Sequence, residues 1–563
     1  MRLVLPLLLA LLPAAAPARA VPPRPKLVVA ISVDQFSLDL FRRYQPGFTG
    51  GLARLAGGYA FAGYQSHAAT ETCPGHSTLL TGDHPNRTGI VANGWWDRAE
   101  GREVYCVGED AESSSNPART SARLKVDALG DWMRRADPRA QVLSVSGKDR
   151  AAIMMGGHHP SAVYWWRDRT GFETSPGAGP ADAAVLAPAE AFNRRTFAAW
   201  AERPPRLWPD TAPAACAALA KPLTVGAVTL PGRLPPAGPS DSAPGWERGA
   251  AFAGQLRGSP ELDAVTLRFA AEQAEARRLG RGPATDLLAV SLSATDSVGH
   301  RYGAGGVEMC AQMAALDRAV GEFLRRLDGF GAPYLVVLSA DHGGIDAAER
   351  LSPPGRRIDV RALRAALAAH LRARFGLEGD PFRGGDDARQ LTLVLPADKA
   401  ALRPRVLGEA RRWLRARPEV AEVFTAAEVA AAVPPRGKPP ERLTHAERFN
   451  LGFDPRRSGD LMVTFPERAT LGVPARPGAN VAGHGSVWDY DRRVPILFWW
   501  PGVRPSDPRR AIETVDIAPT LAAAVGVRPP PVDGRCLPLG WRCPPPASAR
   551  QAGSTPGRPG SSR

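Results

Sequence analysis

Lysine is scarce in this chain: of 71 basic residues among 563, six are lysine and the rest arginine. No compact basic run with interleaved aromatics occurs, which argues against a nucleic-acid binder despite a formal charge of +15. Arginine is spread evenly among alanine, glycine and proline and reads as the composition of a GC-rich genome. The positive field still favours anionic substrates. Long apolar runs are missing after the first twenty residues, so no membrane span is expected. Those twenty, MRLVLPLLLALLPAAAPARA, have a basic start, an apolar stretch and a small-x-small ending at Ala18–Arg19–Ala20. They read as a secretory signal peptide cleaved after Ala20, too short and too rich in proline and alanine for an anchor. No cysteine lies near that site to carry a lipid. A soluble monomer, periplasmic or secreted, with no membrane anchor, is expected. Cysteine is sparse: Cys73, Cys106, Cys216, Cys310, Cys536 and Cys543. An oxidising compartment permits disulfides, and sequence does not choose among the pairings. Cys536 and Cys543 are close enough to suggest a local pair; the default for the other four is a buried thiol. No internal repeat is visible.

The chain does hold enough hydrophobic residues, 44%, with 23% charged, to be globular. Three separated segments are short apolar runs that end in an acid or an acid–histidine pair: KLVVAISVDQ at 26–35, DLLAVSLSATDSVGH at 286–300 and YLVVLSADHGG at 334–344. Buried strands that deliver acids to one sheet edge need compensating cations. Strands followed by helices, with chemistry at strand ends, predict an α/β fold: a central, mostly parallel sheet flanked by helices, with insertions forming a cap.

The expected organisation is a signal peptide over 1–20, catalytic core over 21–150, an insertion or cap over 151–280, core again over 281–345, a second insertion over 346–480, core over 481–544 and a disordered tail over 545–563. Within it, strands are expected at 26–34, 142–149, 285–293, 334–341, 390–395 and 493–502. Residues 66–82 read as a loop running into a helix. Met309, Met313, Leu316, Val320, Phe323 and Leu327 recur at helical spacing over 306–328. Further helices are expected at 360–375, 398–417 and 514–526.

Asp296 and His300 share one face if a helical turn follows their strand. Asp341–His342 precedes two glycines, where backbone must pass close to something. His484 lies between two glycines in AGHGS. Each pattern is weak alone. Together Asp34, Asp296, His300, Asp341, His342 and His484 supply two sites of about three ligands each, with open positions. Zinc suits the mixture of imidazole and carboxylate, ahead of manganese or iron. The nucleophile is sought in TETCPGHST. Pro74 is a helix-opening residue, the helix amino end would face an anion, and Thr72 is placed just before it. Thr72 could equally be a cap, and Thr70, Thr78 and Thr81 compete with it on spacing. His67 and His76 read as packing or capping residues rather than ligands.

The segments SVDQ, TETCPGH, GIVANGWWD, SGKDR, SATDSVGHRYG, SADHGG and GHGSVWD, running in order from residue 32 to 489, resemble the alkaline phosphatase superfamily. They are most similar to its bacterial monoesterases with a threonine nucleophile, with type I phosphodiesterases and nucleotide pyrophosphatases as relatives. The resemblance implies that Thr72 is the nucleophile and also a metal ligand. It implies that Asp34, Asp341 and His342 hold the zinc beside Thr72, and that Asp296, His300 and His484 hold a second. It implies that Asn93 contacts phosphate and that Lys148 and Arg150 are the cationic pair of the monoesterase branch. Asn93–Gly94 alone would read as a hairpin turn. Lys148, one of six lysines where arginine is the default, suggests a need for a compact ammonium. Two cations beside the pocket would favour the dianionic monoester over a diester. The expectation is an exported two-zinc alkaline phosphatase acting on small phosphate monoesters through a phosphothreonine, with no nucleic acid required. The rival is a phosphodiesterase or nucleotide pyrophosphatase, which resembles SGKDR poorly. A sulfatase fits less well: Pro74 directly follows Cys73 and Ser77 stands where that branch needs arginine. A noncatalytic binding protein would have no need for the nucleophile.

Overall fold

The runs LVVAISV, DLLAVSL and YLVVLS are apolar on both faces, a pattern stable only where both faces of a sheet are covered. In the computed structural model, which describes residues 23–108, 118–239, 245–384 and 389–544, they lie side by side at the centre of a nine-stranded sheet. Its strands are β1 (Leu27–Val33), β2 (Tyr59–Tyr64), β3 (Val142–Ser146), β4 (Ala162–Arg167), β5 (Gly171–Glu173), β6 (Asp286–Leu292), β7 (Tyr334–Ser339), β8 (Arg493–Trp499) and β9 (Ile512–Glu513). Their order across the sheet is β9-β2-β8-β7-β1-β6-β3-β4-β5. The centre, β7-β1-β6-β3-β4, is parallel throughout. Antiparallel pairings flank it at β7-β8, β8-β2 and β4-β5. The sheet is therefore mixed, with a parallel core.

Register aligns the carboxyl ends of the central strands. Ser32 of β1 is opposite Ser291 of β6 and Ser339 of β7, and Ser291 is opposite Ser146 of β3. Two residues further on along β1, β7 and β3 stand Asp34, Asp341 and Lys148. A parallel sheet thus brings three distant charges to one edge with no help from the loops.

Helices cover the sheet: α1 (Thr72–Thr81), α2 (Asp149–Gly156), α3 (Glu261–Ala276), α4 (Ala294–Tyr302), α5 (Val307–Asp328) and α6 (Ile517–Ala524). The predicted apolar stripe of α5 is buried throughout. Its Asp317, also buried, accepts the backbone N–H groups of Thr49, Gly50, Leu52 and Ala53 and so caps the helix Gly51–Ala56 from outside. Between β7 and β8 the chain builds a second, antiparallel sheet of Phe382–Arg383, Gln390–Leu393, Leu461–Thr464 and Glu422–Thr425. The helices Val360–Phe375 and Arg403–Arg415 pack on it around Leu367, Leu371, Val406 and Leu414. No helix among the described residues is long and apolar enough to cross a membrane.

Three expectations are corrected. The stretch 151–280 is not only an excursion, because β4 and β5 extend the main sheet; the run AVYWWR is buried against the hydrophobic core. The helix of the TETCPGHST segment begins at Thr72 itself, with Pro74 inside its first turn, where a missing N–H leaves no bond unmade. The four cysteines read as thiols are paired as Cys73–Cys106 and Cys216–Cys310, beside the expected Cys536–Cys543. Their partners are 33 and 94 residues apart, so only the fold brings them together. The leader and the tail from 545 lie outside the described residues.

α1 can lie against the end of β7 only because residue 75 is glycine: a Cβ there would run into the carbonyl oxygen of Asp341. Alanine gains about 1 kcal/mol of helix propensity, but overpacking against backbone costs about 1–3 kcal/mol. Gly75→Ala should therefore lower stability in urea unfolding, opposite to the propensity trend.

Candidate active site

The carboxyl edge of the sheet gathers all six proposed ligands. Asp34 follows β1, Asp341 and His342 follow β7, and α4 carries Asp296 and His300 one turn apart. His484 arrives on the glycine-flanked loop before β8. Asp34, Asp341 and His342 are fully buried, and Asp296 is 4% exposed.

Three atoms of ligand type, Asp34 Oδ1, Asp341 Oδ2 and His342 Nε2, are buried without a hydrogen-bond partner. They face one another, with His342 Nε2 at 3.5 Å from Asp34 Oδ1 and 3.3 Å from Asp341 Oδ2. Beside them, Asp296 Oδ1 lies 3.2 Å from His300 Nε2 and 3.4 Å from His484 Nε2, and the two imidazole nitrogens are 3.2 Å apart. The rings of His342 and His484 stack at 3.7 Å. Two groups fit the ligand spacing of a metal ion: Asp296, His300 and His484, and Asp34, Asp296 and His342, so that Asp296 is common to both and Asp341 lies beside them.

The imidazoles are oriented for that task. His300 Nδ1 donates to the Ala482 carbonyl at 3.0 Å, His342 Nδ1 to Gly343 at 2.8 Å and His484 Nδ1 to Thr70 at 2.8 Å. Each bond fixes the tautomer and leaves the Nε2 lone pair directed into the cluster. Burial pushes His342 down to about 3, against the pull of Asp341, so it is neutral at ordinary pH. Burial and the neighbouring Asp296 and Asp341 carboxylates push Asp34 well above the usual carboxylate range. For Asp296 burial acts upward too, but Lys148 and His300 outweigh it and hold the carboxyl well below that range. The Lys148 ammonium, on the turn between β3 and α2, lies 2.6 Å from both Asp34 Oδ2 and Asp296 Oδ2.

Thr72, 1% exposed, is tied to this cluster by its neighbours. The Thr70 carbonyl holds His484. The Cys73 N–H donates to Asn93 Oδ1 at 2.9 Å, and the Asn93 N–H donates to Glu71 Oε2 at 2.8 Å. One turn along α1, His76 donates from Nδ1 to the Thr72 carbonyl at 2.9 Å. The same Nδ1 is 3.1 Å from Asp341 Oδ2, and Nε2 is 2.8 Å from Ser291 Oγ. Asn93 thus stands at the amino end of the Thr72 helix, just before the hairpin Gly94–Asp97/Arg102–Tyr105. Arg150 lies in the first turn of α2, its Nη1 3.1 Å from the Tyr105 hydroxyl, which donates to Asp149 at 2.8 Å. His67 bonds Gln65 inside the core and takes no part. Gln35 is a site residue that sequence reasoning missed. Its N–H donates to Asp341 Oδ1 at 3.1 Å, and no spacing rule marks it, since its only signal is adjacency to Asp34.

A mixed sheet with a parallel core, flanked by helices and carrying acid–imidazole groups at its carboxyl edge, defines the class as an alkaline-phosphatase-like α/β fold with candidate metal sites. The chain belongs to the type I phosphodiesterase / nucleotide pyrophosphatase family, whose model matches residues 28–486. It is 42% identical to alkaline phosphatase PhoK of a Sphingomonas species, over 92% of this chain and 91% of that one. It is 41% identical to alkaline phosphatase PhoD of Zymomonas mobilis, over 91% and 88%. The crystal structure of wild-type alkaline phosphatase PafA superposes with a TM-score of 0.74 at 25% identity, covering 91% of this chain and 97% of that one.

Removing one partner of a buried charge cluster leaves the others uncompensated, at about 3–5 kcal/mol. Lys148→Met should lose stability on that scale in urea unfolding of metal-stripped protein, whereas an ordinary surface lysine such as Lys221 should change it by under about 0.5 kcal/mol.

Proposed function

We propose that the protein is an exported alkaline phosphatase that hydrolyses phosphate monoesters through a phosphothreonine on Thr72, with two zinc ions. The observation that carries this reading is the set of three imidazoles, each with Nδ1 bonded to a backbone carbonyl, whose free nitrogens converge on three buried carboxylates. Asp34, Asp341, His342 and Thr72 would hold one ion, and Asp296, His300 and His484 the other; mixed imidazole and carboxylate donors suit zinc. Bound there, the pair supplies Lewis acidity that acidifies the Thr72 hydroxyl and stabilises a leaving alkoxide.

The chain's own residues do the rest. α1 aims the Thr72 hydroxyl from its first turn, where unbonded N–H groups favour an approaching anion. The amide of Asn93, held by Cys73, is placed to donate to a nonbridging oxygen. Lys148 and Arg150 supply positive charge for the other oxygens, Arg150 with a planar fork that takes two at once. Oγ of Thr72 bonds to phosphorus as the bond to the departing alcohol breaks. Water then splits the Oγ–P bond and restores the hydroxyl. A monoester brings a second negative charge that a diester lacks, so two cations beside the pocket select monoesters. Export is supported by the leader-like first twenty residues and by three disulfides, which persist where thiols are oxidised. The family's own name favours a second reading, a phosphodiesterase or nucleotide pyrophosphatase; the Lys148–Arg150 pair speaks against it.

Two measurements test this. Thr72→Ala should lose at least about a thousandfold in kcat for an aryl phosphate, and only the unmodified protein should yield a phosphorylated Thr72 peptide on acid quench; full turnover by the variant would end the covalent mechanism. Lys148→Ala should reduce the preference for a monoester over a diester of the same phenol by about tenfold or more, near 1.4 kcal/mol. An unchanged ratio would instead support the phosphodiesterase reading.

A further inference from the structure

Gln35 occupies an unusual place. Its backbone has φ 62°, the left-handed region that a glutamine enters at about 1–2 kcal/mol. Among the described residues only Arg278 and Arg468 share this feature without being glycine. Strain of this kind persists where surrounding contacts enforce it. Here the contacts run to both halves of the cluster. The Gln35 N–H donates to Asp341 Oδ1. With its carboxamide oriented to donate, Nε2 lies 3.0 Å from the Asp296 carbonyl oxygen and 3.2 Å from Asp296 Oδ1. That oxygen is the one facing His300 and His484. The side chain is 3% exposed and threads between Gly299 of α4 and Gly344 of the Asp341–His342 loop. A Cβ at either glycine would strike it. The second glycine of DHGG thus has a physical reason: it clears space for the Gln35 amide.

We propose that Gln35 is a positioning residue that sets the relation between the two cation half-sites. Its main chain orients Asp341 and its amide orients the Asp296 carboxylate, so the side chain tunes the affinity of the Asp296–His300–His484 group in particular. A ligating carboxylate is directional, and a hydrogen bond to the very oxygen that faces the imidazoles, Asp296 Oδ1, decides which of its lone pairs is left for an ion. The inference rests on the two-cation reading above.

The test strips the full-length protein of metal and titrates zinc against a chromophoric chelator. The wild type takes up two ions. Gln35→Met keeps the volume and removes the donor; Gln35→Gly keeps the backbone conformation and the N–H to Asp341. In both, one ion should bind about 10–100-fold more weakly, the scale of outer-shell partners, with the other within about threefold. Gly344→Ala, which pushes the amide aside, should reproduce the selective loss. The melting temperature of metal-free Gln35→Met should stay within about 1 °C of the wild type, which is about 1 kcal/mol at this size. Two equal, unweakened ions in Gln35→Met would overturn the inference and leave the two-cation reading standing. Equal weakening of both ions with a fall in metal-free melting would assign Gln35 to folding instead. A wild type that takes up no zinc would remove the two-cation reading and this inference with it.

Discussion

Three buried carboxylates, Asp34, Asp296 and Asp341, stand within reach of one another at the end of a parallel sheet. Like charges in a medium of low dielectric repel strongly, and the chain accepts this only because positive charge is held between them. Lys148 supplies one such charge from the β3–α2 turn, bonded to Asp34 and Asp296 alike. Asp34 Oδ1, Asp341 Oδ2 and His342 Nε2, buried with no hydrogen-bond partner, lie beside it. Much of the surrounding structure serves that arrangement: the Nδ1 bonds that set each imidazole, His76 between α1 and Asp341, and the glycines that let backbone approach.

The sheet makes the cluster reproducible. Ser146, Ser291, Ser32 and Ser339 are in register across β3, β6, β1 and β7, and strand alternation places the residue two further along on the same face. Small side chains in that row leave room for α1, and Ser291 holds His76. Ladder hydrogen bonds thus fix where the chain leaves the sheet toward Asp34, Asp341 and Lys148, α4 carries Asp296 and His300, and loops contribute His484 and the hairpin beside Asn93.

This explains which parts were legible beforehand. Apolar runs ending in acids reveal central strands and their chemistry together, because both lie within one short segment. The i, i+4 pair Asp296–His300 is legible for the same reason, and so is α5 from its apolar stripe. What depends on distant contact was hidden. Cys73 and Cys216 find partners through folding alone. β4 and β5 were masked by the proline- and alanine-rich sequence that follows them. Gln35 shows no periodicity or motif, and its importance arises from an amide reaching α4 across the glycine at 299. His76 was read as a capping residue, and it does bond its own helix; its approach to Asp341 depends on how α1 lies across β7.

The Cys73–Cys106 bond closes a covalent ring that contains Asn93, whose carboxamide is already bonded to the amide of Cys73. Closing a loop of that size removes about 3–4 kcal/mol of chain entropy from the open state. Inside a reducing cytosol the ring is open, and the residue beside Thr72 and the segment carrying Asn93 are joined by weak forces alone. Oxidation of this one pair therefore ties the amino end of the Thr72 helix covalently to the segment that carries Asn93, and reduction undoes that tie.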